Sequence, residues 1–446
     1  MNTTENAPRP SLSRRIHILG MGNVGTFVAH SLAGIPNRPP ITLLLKGVNH
    51  FIIWKAAKET LKITTRGMTE ARSGFDVEVF RPDGVDTAQQ EMNTRKPSTT
   101  MSADASSPKG PDNHQDEVFT DSIARWPGGP SVSTSQGRYE ENMTSRDSFQ
   151  RELQTARTNQ DSIIHHLIVT TKAYATAKAV KNYAHRLTKD STILFLQNGL
   201  GVLDEVNELC FPDPTERPRY MVGVNSHGLK KRQVYFDVTH AGEGTIALGI
   251  MPQPFLSGVE SMQSLQSASA SSQYLLRVMT RTPVFVAVGF PPTDLYQLQL
   301  DKLAINSIIN PITALLNVKN GAFNETFHLT RVLRLLLSET CHVFKSLPEL
   351  KNVPNVKMRY NTARVEQKVW EVTRATAEND SSMLQDVRTT NYTEINYING
   401  YIVRRGEELG MHCVMNYMIM QLLEAKSVLY SQDKKDVLPF ASLIEE

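Results

Sequence analysis

The stretch Ile16-His17-Ile18-Leu19-Gly20-Met21-Gly22-Asn23-Val24-Gly25-Thr26-Phe27-Val28-Ala29 decides the fold of the N-terminal half. A short β-type run leads directly into a glycine turn, and apolar residues at helical spacing follow it. Strand, G-x-G-x-x-G turn and helix stand in the order typical of a dinucleotide-binding βαβ unit. Gly20 permits the tight turn, Gly22 lets backbone approach a pyrophosphate, and Gly25 lets the helix pack closely on the strand. The alternative is a strand-to-helix turn that binds no ligand.

The residue after the second predicted strand indicates which dinucleotide would bind. That strand covers residues 41–45 and is followed by Lys46. An NAD site normally has Asp or Glu about 20 residues after the glycines, to bind the ribose 2′-hydroxyl. A cation suits a 2′-phosphate instead and favours NADP(H), although a lysine at a strand end is also an ordinary solvated residue. The predicted cofactor contacts in this region are Gly20, Met21, Gly22, Asn23, Val24, Gly25 and Lys46.

Polar residues follow two later strands of the predicted sheet. Residues 163–170 are predicted to form a buried strand that leads into Lys172, and residues 191–196 a strand that leads into Asn198. Ligands of open parallel sheets bind at the carboxyl ends of the strands. Lys172 and Asn198 are therefore expected to face the same crevice as the glycine turn. The alternatives are a surface lysine with a buried stem and a plain Asn-Gly turn.

The remaining strands of this region are short. They are predicted at residues 61–65, 75–80, 220–226, 233–239, 244–249 and 283–288. The strands between 220 and 249 alternate in polarity and are expected to form an antiparallel extension of the sheet. His227 and His240 lie there with no acid or cysteine at ligand spacing, so a structural role is expected.

A polar segment at about residues 82–161 interrupts the N-terminal domain. Ser, Thr, Asn, Gln, Asp, Pro and Gly dominate it, and apolar residues occur singly. Such a composition cannot bury enough surface to offset its conformational entropy, which predicts a disordered insertion. A helix is expected within residues 139–158. The insertion is interpreted as a tolerated spacer, with a regulatory or partner-binding role as the alternative.

From residue 294 to about 426 the periodicity is helical, which predicts a second, all-α domain. In its first helix, Lys302, Asn306 and Asn310 fall at i, i+4 and i+8 and share one side. Asn is a poor helix former, so two asparagines in register with a lysine indicate a lined pocket. The alternative is that they are surface residues or bind nearby backbone.

Two further motifs follow late in the helical domain. Asn379 and Ser382 are spaced to share a helix face and carry donors suited to an anion or a carbonyl, although Ser382 also suits a helix cap. Asn391 and Glu394 have the spacing of a capping box, which is the structural alternative to a site role for Glu394.

Composition limits the class of protein. The 446 residues are 40% hydrophobic and 21% charged with a net charge of +3, as in soluble proteins that do not bind nucleic acid. No run is long enough to span a bilayer, and residues 1–15 make a poor targeting signal. The three isolated cysteines offer neither a metal site nor a disulfide framework and fit a reducing compartment. The expected organisation is a flexible N-terminus (1–15), a Rossmann-type α/β domain (16–290) with the insertion, an all-α domain (291–430) and a C-terminal tail (431–446).

With the insertion excluded, residues 16 to about 426 resemble the ketopantoate reductase (2-dehydropantoate 2-reductase) family, whose members are NADPH enzymes of pantothenate synthesis. The resemblance implies a Rossmann domain followed by a helical domain like that of 6-phosphogluconate dehydrogenase, with the nicotinamide and a 2-keto acid meeting in the cleft between them. Leu300 departs from the tryptophan that many members have there, and the insertion is far longer than in bacterial members. The motifs that carry the resemblance are residues 20–25, 169–172, 197–199, 302–311, 379–386 and 393–400.

The resemblance also implies roles for single residues. Lys302 matches the catalytic lysine of the family, and Glu394 its essential glutamate, which either orients Lys302 or binds the substrate hydroxyl. Lys172 matches a cofactor-side lysine, and Lys46 stands where an arginine often binds the 2′-phosphate. Positions that hold substrate or order the site are matched by Asn198, Asn306, Asn310, Asn379 and Ser382. Asn198 and Glu394 are expected to contact the cofactor as well.

The expected activity is reduction of ketopantoate to (R)-pantoate by a monomer or homodimer in the cytoplasm or the mitochondrion. No membrane, nucleic-acid or metal partner is expected. One alternative is a non-catalytic relative that senses a nucleotide or activates mitochondrial translation, although the chain retains the glycines, Lys302, Ser382 and Glu394. The other is reduction of a different 2-keto acid in the same cleft.

Overall fold

A computed structural model describes residues 13–80, 148–156, 162–232, 234–252 and 269–436. Predictions for the other residues, including nearly all of the insertion and both chain ends, lie outside the described part. The predicted domain limits therefore stay predictions. Residues 81–158 form a separate unit, of which only a helix over residues 148–156 is described, within the range where a helix was expected. Within the described ranges, no helix combines the length and apolar character that crossing a membrane requires.

Twelve strands are found in the described part of the chain. They are β1 (Ile16–Leu19), β2 (Ile41–Leu45), β3 (Leu61–Thr65), β4 (Met68–Arg72), β5 (Asp76–Val79), β6 (His166–Val169), β7 (Thr192–Phe195), β8 (Arg219–Asn225), β9 (Gly228–Lys231), β10 (Asp237–Gly242), β11 (Ile246–Ile250) and β12 (Ala287–Gly289). The main helices of the larger unit are α1 (Asn23–Ala33), α2 (Val48–Ala56), α3 (Ala173–Lys181), α4 (Val202–Cys210), α5 (Ala270–Thr280), α6 (Pro292–Leu316), α7 (Phe327–Ser346), α8 (Thr362–Ala375), α9 (Ser382–Arg388), α10 (Ile395–Glu408) and α11 (Val414–Asp436).

Eight strands form the main sheet in the order β12-β11-β8-β7-β6-β1-β2-β5. The six strands from β8 to β5 are mutually parallel, whereas β11 runs antiparallel to β8. Strands β1, β2, β6 and β7 are buried along their whole length, as expected for parallel strands covered on both faces. The prediction of a Rossmann-type sheet is confirmed, and the carboxyl ends of β1, β2, β6 and β7 share one edge.

A second sheet, in the order β4-β3-β10-β9, corrects part of the strand prediction. The strand predicted at residues 233–239 was expected to extend the main sheet. It forms instead as β10, which pairs with β9 and, in parallel, with β3. The strand predicted at residues 283–288 is a 3-10 turn, Pro283–Phe285, followed by the short β12. Pro283 lacks the N–H that a strand ladder needs, which explains this difference.

His227 and His240 join the two sheets. Nδ1 of His227 lies 3.1 Å from Nε2 of His240, and it also accepts a hydrogen bond from the Gly244 amide. Nε2 of His227 lies 3.1 Å from the carbonyl oxygen of Phe285, and both rings pack against Phe27. Their neighbours are backbone, an aromatic ring and each other, in agreement with the structural role expected for them.

The C-terminal part is helical and is built around α6. This 25-residue helix buries Leu300, Leu303, Ala304 and Ile308 in a core to which α7 to α11 contribute. Its other side carries Lys302 and Asn306, which are half-buried. The predicted all-α region is therefore confirmed, with one face of α6 left for the site.

Arg186 holds the two ends of the chain that flank the insertion. Its guanidinium donates to both oxygens of Glu78, at 2.6 and 3.3 Å. It also donates to the carbonyl oxygen and the hydroxyl of Ser162, at 2.8 and 3.2 Å. Arg186 is 2% exposed and Glu78 is 6% exposed, so this is a buried ion pair. Its integrity fixes the points at which the chain leaves and re-enters the larger unit.

Candidate active site

The glycine turn after β1 is crowded on one side and open on the other. Gly20 has a φ of 101°, and a Cβ there would lie 2.5 Å from the Thr171 amide nitrogen. A Cβ on Gly25 would lie 2.0 Å from the carbonyl oxygen of Gly20. A Cβ on Gly22 would meet nothing within 4 Å, and α1 has no acidic residue in its first turn. The open space at Gly22 and the N–H groups at the start of α1 fit a pyrophosphate.

Lys46 lies directly after β2, at the same sheet edge. Its side chain is exposed, and no ion pair to it is found in the described ranges. Burial, together with the charge of Lys46, lowers the pKa of the neighbouring His50. An unpaired cation at this position fits a phosphomonoester.

Lys302 reaches from α6 to the carboxyl ends of two strands. Its Nζ donates to Oδ1 of Asn198, after β7, at 2.7 Å and to the carbonyl oxygen of Asn225, at the end of β8, at 2.6 Å. Both partners are neutral, so they orient the ammonium without cancelling its charge. Burial lowers the pKa of Lys302 to about 8, while Glu394 opposes the shift. An ammonium with such a pKa can give up its proton near neutral pH.

Glu394 lies beside Lys302 without bonding to it directly. Its Oε1 accepts from the backbone amide of Ala173 at 3.0 Å, and its Oε2 accepts from Nδ2 of Asn198 at 3.2 Å. Ala173 is the first residue of α3, so the carboxylate sits at a helix N-terminus, where negative charge is favoured. The two ends of the Asn198 amide thus connect Glu394 with Lys302.

The capping-box alternative for Glu394 is wrong. Helix α10 begins at Ile395, and its N-cap is Glu394 rather than Asn391. The Glu394 side chain makes no cap hydrogen bond and is 4% exposed. A buried carboxylate turned toward another segment has a role outside its own helix.

Lys172 forms a second charged group next to Glu394. Its Nζ lies 2.6 Å from Oδ2 of Asp386 and 3.7 Å from Oε2 of Glu394. Burial lowers the pKa of Lys172, but the two carboxylates outweigh it and the net shift is upward. Burial raises the pKa of Asp386 to about 6, against the effect of Lys172. Lys172 is therefore already paired with Asp386, and it lies next to Glu394.

Asn306 and Asn310 differ in their surroundings. Asn306 is half-buried and faces a small cavity between α6 and the main sheet. Asn310, one turn further along α6, is buried and lies outside the cavity lining. The cavity is lined by Gln197, Asn198, Gly199, Gly223, Val224, Gln299, Lys302, Leu303 and Asn306.

Asn379 and Ser382 are exposed near the start of α9. The cap of this helix is Ser381, which accepts from the Leu384 amide, so the cap alternative for Ser382 is wrong. Ser382 stands four residues before Asp386 and therefore on the same side of α9. Asn379 makes no side-chain hydrogen bond to the Lys302 group within the described ranges.

Two participants were missed by the sequence reasoning. Asp386 pairs with Lys172, and its position one turn after Ser382 was an available signal. The carbonyl of Asn225 accepts from Lys302, and no sequence signal could have found it because every residue carries a carbonyl. In the described ranges, no three His, Cys, Asp or Glu side chains are grouped to hold a metal ion. The arrangement can polarise and protonate an oxygen that develops negative charge beside Lys302.

Comparisons with known proteins show which sequences this chain is similar to. Family models described as ketopantoate reductase PanE/ApbA and its C terminal match residues 129–253 and 294–427. A probable 2-dehydropantoate 2-reductase of Schizosaccharomyces pombe is 31% identical over 271 residues, covering 59% of this chain and 74% of that protein. The 2-dehydropantoate 2-reductase of Saccharomyces cerevisiae is 28% identical over 280 residues, covering 58% and 73%.

Solved structures share the fold. A probable 2-dehydropantoate 2-reductase from Bacillus subtilis superposes with a TM-score of 0.54 at 20% identity, covering 92% of this chain and 99% of that chain. A D-mandelate dehydrogenase, solved with NADH and anilino(oxo)acetate, gives a TM-score of 0.61 at 15% identity, covering 94% and 99%. At these identities the likeness concerns the fold alone.

Proposed function

Because this chain belongs to the ketopantoate reductase family, we propose that it reduces 2-dehydropantoate to (R)-pantoate with NADPH, in the route to pantothenate and coenzyme A. The observation that carries the proposal is the contact of Lys302 Nζ with Asn198 Oδ1 at 2.7 Å. This contact holds a buried ammonium at the sheet edge where the glycine turn also ends. Reduction of a ketone needs an acid at that place, close to the bound nicotinamide.

The glycine turn and Lys46 are the groups that would hold NADPH. Gly22 leaves room for the pyrophosphate, and the exposed ammonium of Lys46 would meet the 2′-phosphate. When bound there, the reduced nicotinamide supplies the hydride. The paired Lys172 would border the nicotinamide half, because it lies at the start of α3 beside Glu394.

Lys302 is the proposed general acid. Its ammonium would first bind the ketone oxygen and then protonate the developing alkoxide, so that it acts mainly on charge present in the transition state. Its pKa of about 8 leaves most molecules protonated at neutral pH. The lost proton would be regained from solvent before the next turnover.

Glu394 is proposed to act through Asn198. Since both carboxylate oxygens already accept hydrogen bonds, from Ala173 and Asn198, the carboxylate fixes the direction of the Asn198 amide. That amide in turn presents its oxygen to Lys302. Of the two roles left open, orientation of Lys302 therefore has the better support.

The substrate would be held by neutral donors. Asn306 faces the cavity beside Lys302, and Ser382 lies on the face of α9 that carries Asp386. Amide and hydroxyl donors can bind the carboxylate and the hydroxyl of a hydroxylated 2-keto acid. Asn310 would then order α6 rather than touch substrate, since it is buried outside the cavity lining. Asn379 is exposed in the loop before α9 and has no proposed contact with substrate.

The test is NADPH oxidation by purified protein, followed by its absorbance, with ketopantoate and with 2-ketoisovalerate, which lacks the hydroxyl. We expect oxidation that is faster with ketopantoate and a product that chiral chromatography identifies as (R)-pantoate. Faster turnover of 2-ketoisovalerate would show a different 2-keto acid substrate. If NADPH binds but no keto acid is reduced, the non-catalytic alternative is correct. Lys302→Ala, prepared in the same way, serves as the control for contaminating reductases.

A further inference from the structure

The β9–β10 hairpin lies against the glycine turn. Nδ2 of Asn23, the first residue of α1, lies 3.5 Å from the carbonyl oxygen of Leu229 in β9. At the far end of the hairpin, the ring of Phe236 contacts Trp54 of α2, with 5.1 Å between ring centroids. The hairpin therefore runs from the pyrophosphate end of the predicted nucleotide site to the helix that follows Lys46.

Strand register places the two lysines of β9 on opposite faces of the hairpin. Lys231 pairs with Val238, and Lys230 pairs with Thr239. Directly paired residues of antiparallel strands share a sheet face. Val238 is buried, whereas Thr239 lies on the outer face. Lys231, which is exposed, thus lies on the same face as Val238, at the hairpin end, and Lys230 lies on the opposite face.

Aromatic contacts connect Lys231 to the surroundings of Lys46. The Nζ atom of Lys231 lies 4.5 Å from the centroid of the Tyr235 ring. The same ring packs edge-on against His50, with 6.2 Å between centroids. His50 is in the first turn of α2 and feels the charge of Lys46. Neither Lys231 nor Lys46 has a carboxylate at ion-pair distance in the described ranges.

We propose that Lys231 is a second cationic determinant of 2′-phosphate recognition, acting with Lys46 to make the site prefer NADPH over NADH. The inference rests on the proposed function, because it requires a dinucleotide on the glycine turn. Two unpaired ammonium groups at one end of the site would attract a phosphomonoester dianion, and Tyr235 limits the positions that Lys231 can take. The 2′-phosphate is the group that distinguishes NADPH from NADH.

The test is calorimetric titration of wild-type protein, Lys231→Ala and Lys230→Ala with NADPH and with NADH at low salt. In Lys231→Ala we expect the Kd for NADPH to rise about fivefold to tenfold and the Kd for NADH to stay unchanged. Lys230→Ala is the matched control, since it removes the same charge from the opposite face and should change neither Kd. Far-UV circular dichroism and the Tm verify the fold of both variants.

The other outcomes separate the two hypotheses. If wild-type protein prefers NADPH and Lys231→Ala keeps that preference, the role of Lys231 is overturned and the proposed function stands. An equal loss in both lysine variants, or an equal loss for NADPH and NADH, also overturns it, because a general charge effect then explains the result. If wild-type protein binds both nucleotides equally, the 2′-phosphate assignment of Lys46 fails together with that of Lys231.

Discussion

The Nζ atom of Lys302 lies 2.7 Å from Oδ1 of Asn198, and this contact connects helix α6 to the loop after β7. Asn198 uses its other amide atom to donate to Glu394. The direction of the amide is therefore set by a carboxylate that makes no hydrogen bond to Lys302 itself. A buried ammonium with neutral acceptors keeps its full charge for a reacting oxygen.

Replacing Lys302 by alanine should remove the proton donor and leave the nucleotide site intact. We expect kcat to fall about 10²- to 10⁴-fold, the usual contribution of a positioned general acid. The Kd for NADPH, measured by calorimetry, should change little. The control is Lys319→Ala, which removes an exposed lysine paired with Glu378 and should leave kcat unchanged. Turnover near the wild-type rate in Lys302→Ala would rule out the proposed acid.

The pH profile should report the ionisation of Lys302. Its pKa is lowered to about 8, and reduction needs the protonated form, so kcat/KM should fall above that pH by about tenfold per unit. In Glu394→Gln the negative charge that raises the Lys302 pKa is lost. The alkaline limb of that variant should therefore move to lower pH, in addition to any loss of rate. A limb that stays in place would contradict the electrostatic coupling of the two residues.

Alanine at Gly22 and alanine at Gly25 should affect different properties, the first NADPH binding and the second the stability of the fold. Gly22→Ala adds a Cβ to open space, so the fold should be unchanged. The added methyl group should occupy space that the pyrophosphate needs, and the Kd for NADPH should rise at least about tenfold. Gly25→Ala would place a Cβ against the Gly20 carbonyl and should destabilise the protein by about 1–3 kcal/mol. Thermal unfolding and NADPH titration of both variants check this contrast. A stable Gly25→Ala protein would show that α1 can move away from β1.

His166 should make the protein sensitive to acid. Its Nδ1 donates to the Arg15 carbonyl, its Nε2 is buried with no hydrogen-bond partner among the described residues, and burial lowers its pKa to about 4. The folded pKa lies below the unfolded value of 6.5, so the stabilisation is present above pH 6.5 and is lost as the pH falls toward 4. His166→Asn can keep the donor to Arg15 and does not titrate. Urea unfolding should show that the variant loses roughly 3 kcal/mol less than wild type between these pH values.

Removing only one member of the buried Arg186–Glu78 ion pair should destabilise the protein more than removing both. Arg186→Met would leave the buried Glu78 carboxylate without its guanidinium, with His17 Nε2 at 3.7 Å as the remaining neighbour, and should lower the free energy of unfolding by about 3–5 kcal/mol. The double variant Arg186→Met with Glu78→Leu should recover much of this loss, since no charge is left buried. Urea unfolding of the two variants measures the difference. Equal losses in both would mean that the hydrogen bonds to Ser162 carry the stability.

The parts of the fold that depend on local sequence were predictable. The glycine turn was recognised because strand, turn and helix are adjacent in the chain, and Lys302 because its helix has a clear period. The pairing of strands that are distant in the sequence was not predictable. Strand β10 could pair with the main sheet or with β3, and its own pattern of alternating residues is the same in both cases.

The candidate site, like the fold, was predictable only in part. Asn198 and Glu394 were expected to share a crevice with Lys302, and the structure brings all three together. The pairing of Lys172 with Asp386 depends on how α9 packs, which spacing along the chain does not define. The spacing of Asn391 and Glu394 suits a cap of α10, but the helix begins at Ile395 and the Glu394 side chain accepts from the Ala173 amide instead.

The hydrogen bonds of Arg186 determine how well the protein tolerates a change in the length of the insertion. Since one guanidinium bonds both Glu78 and Ser162, the exit and the return of the polypeptide are fixed independently of what lies between them. The entropy of closing a loop grows only slowly with its length, so residues could be added or removed there at little thermodynamic cost. The position is therefore a natural place to graft a fluorescent reporter or an affinity tag without disturbing the reductase.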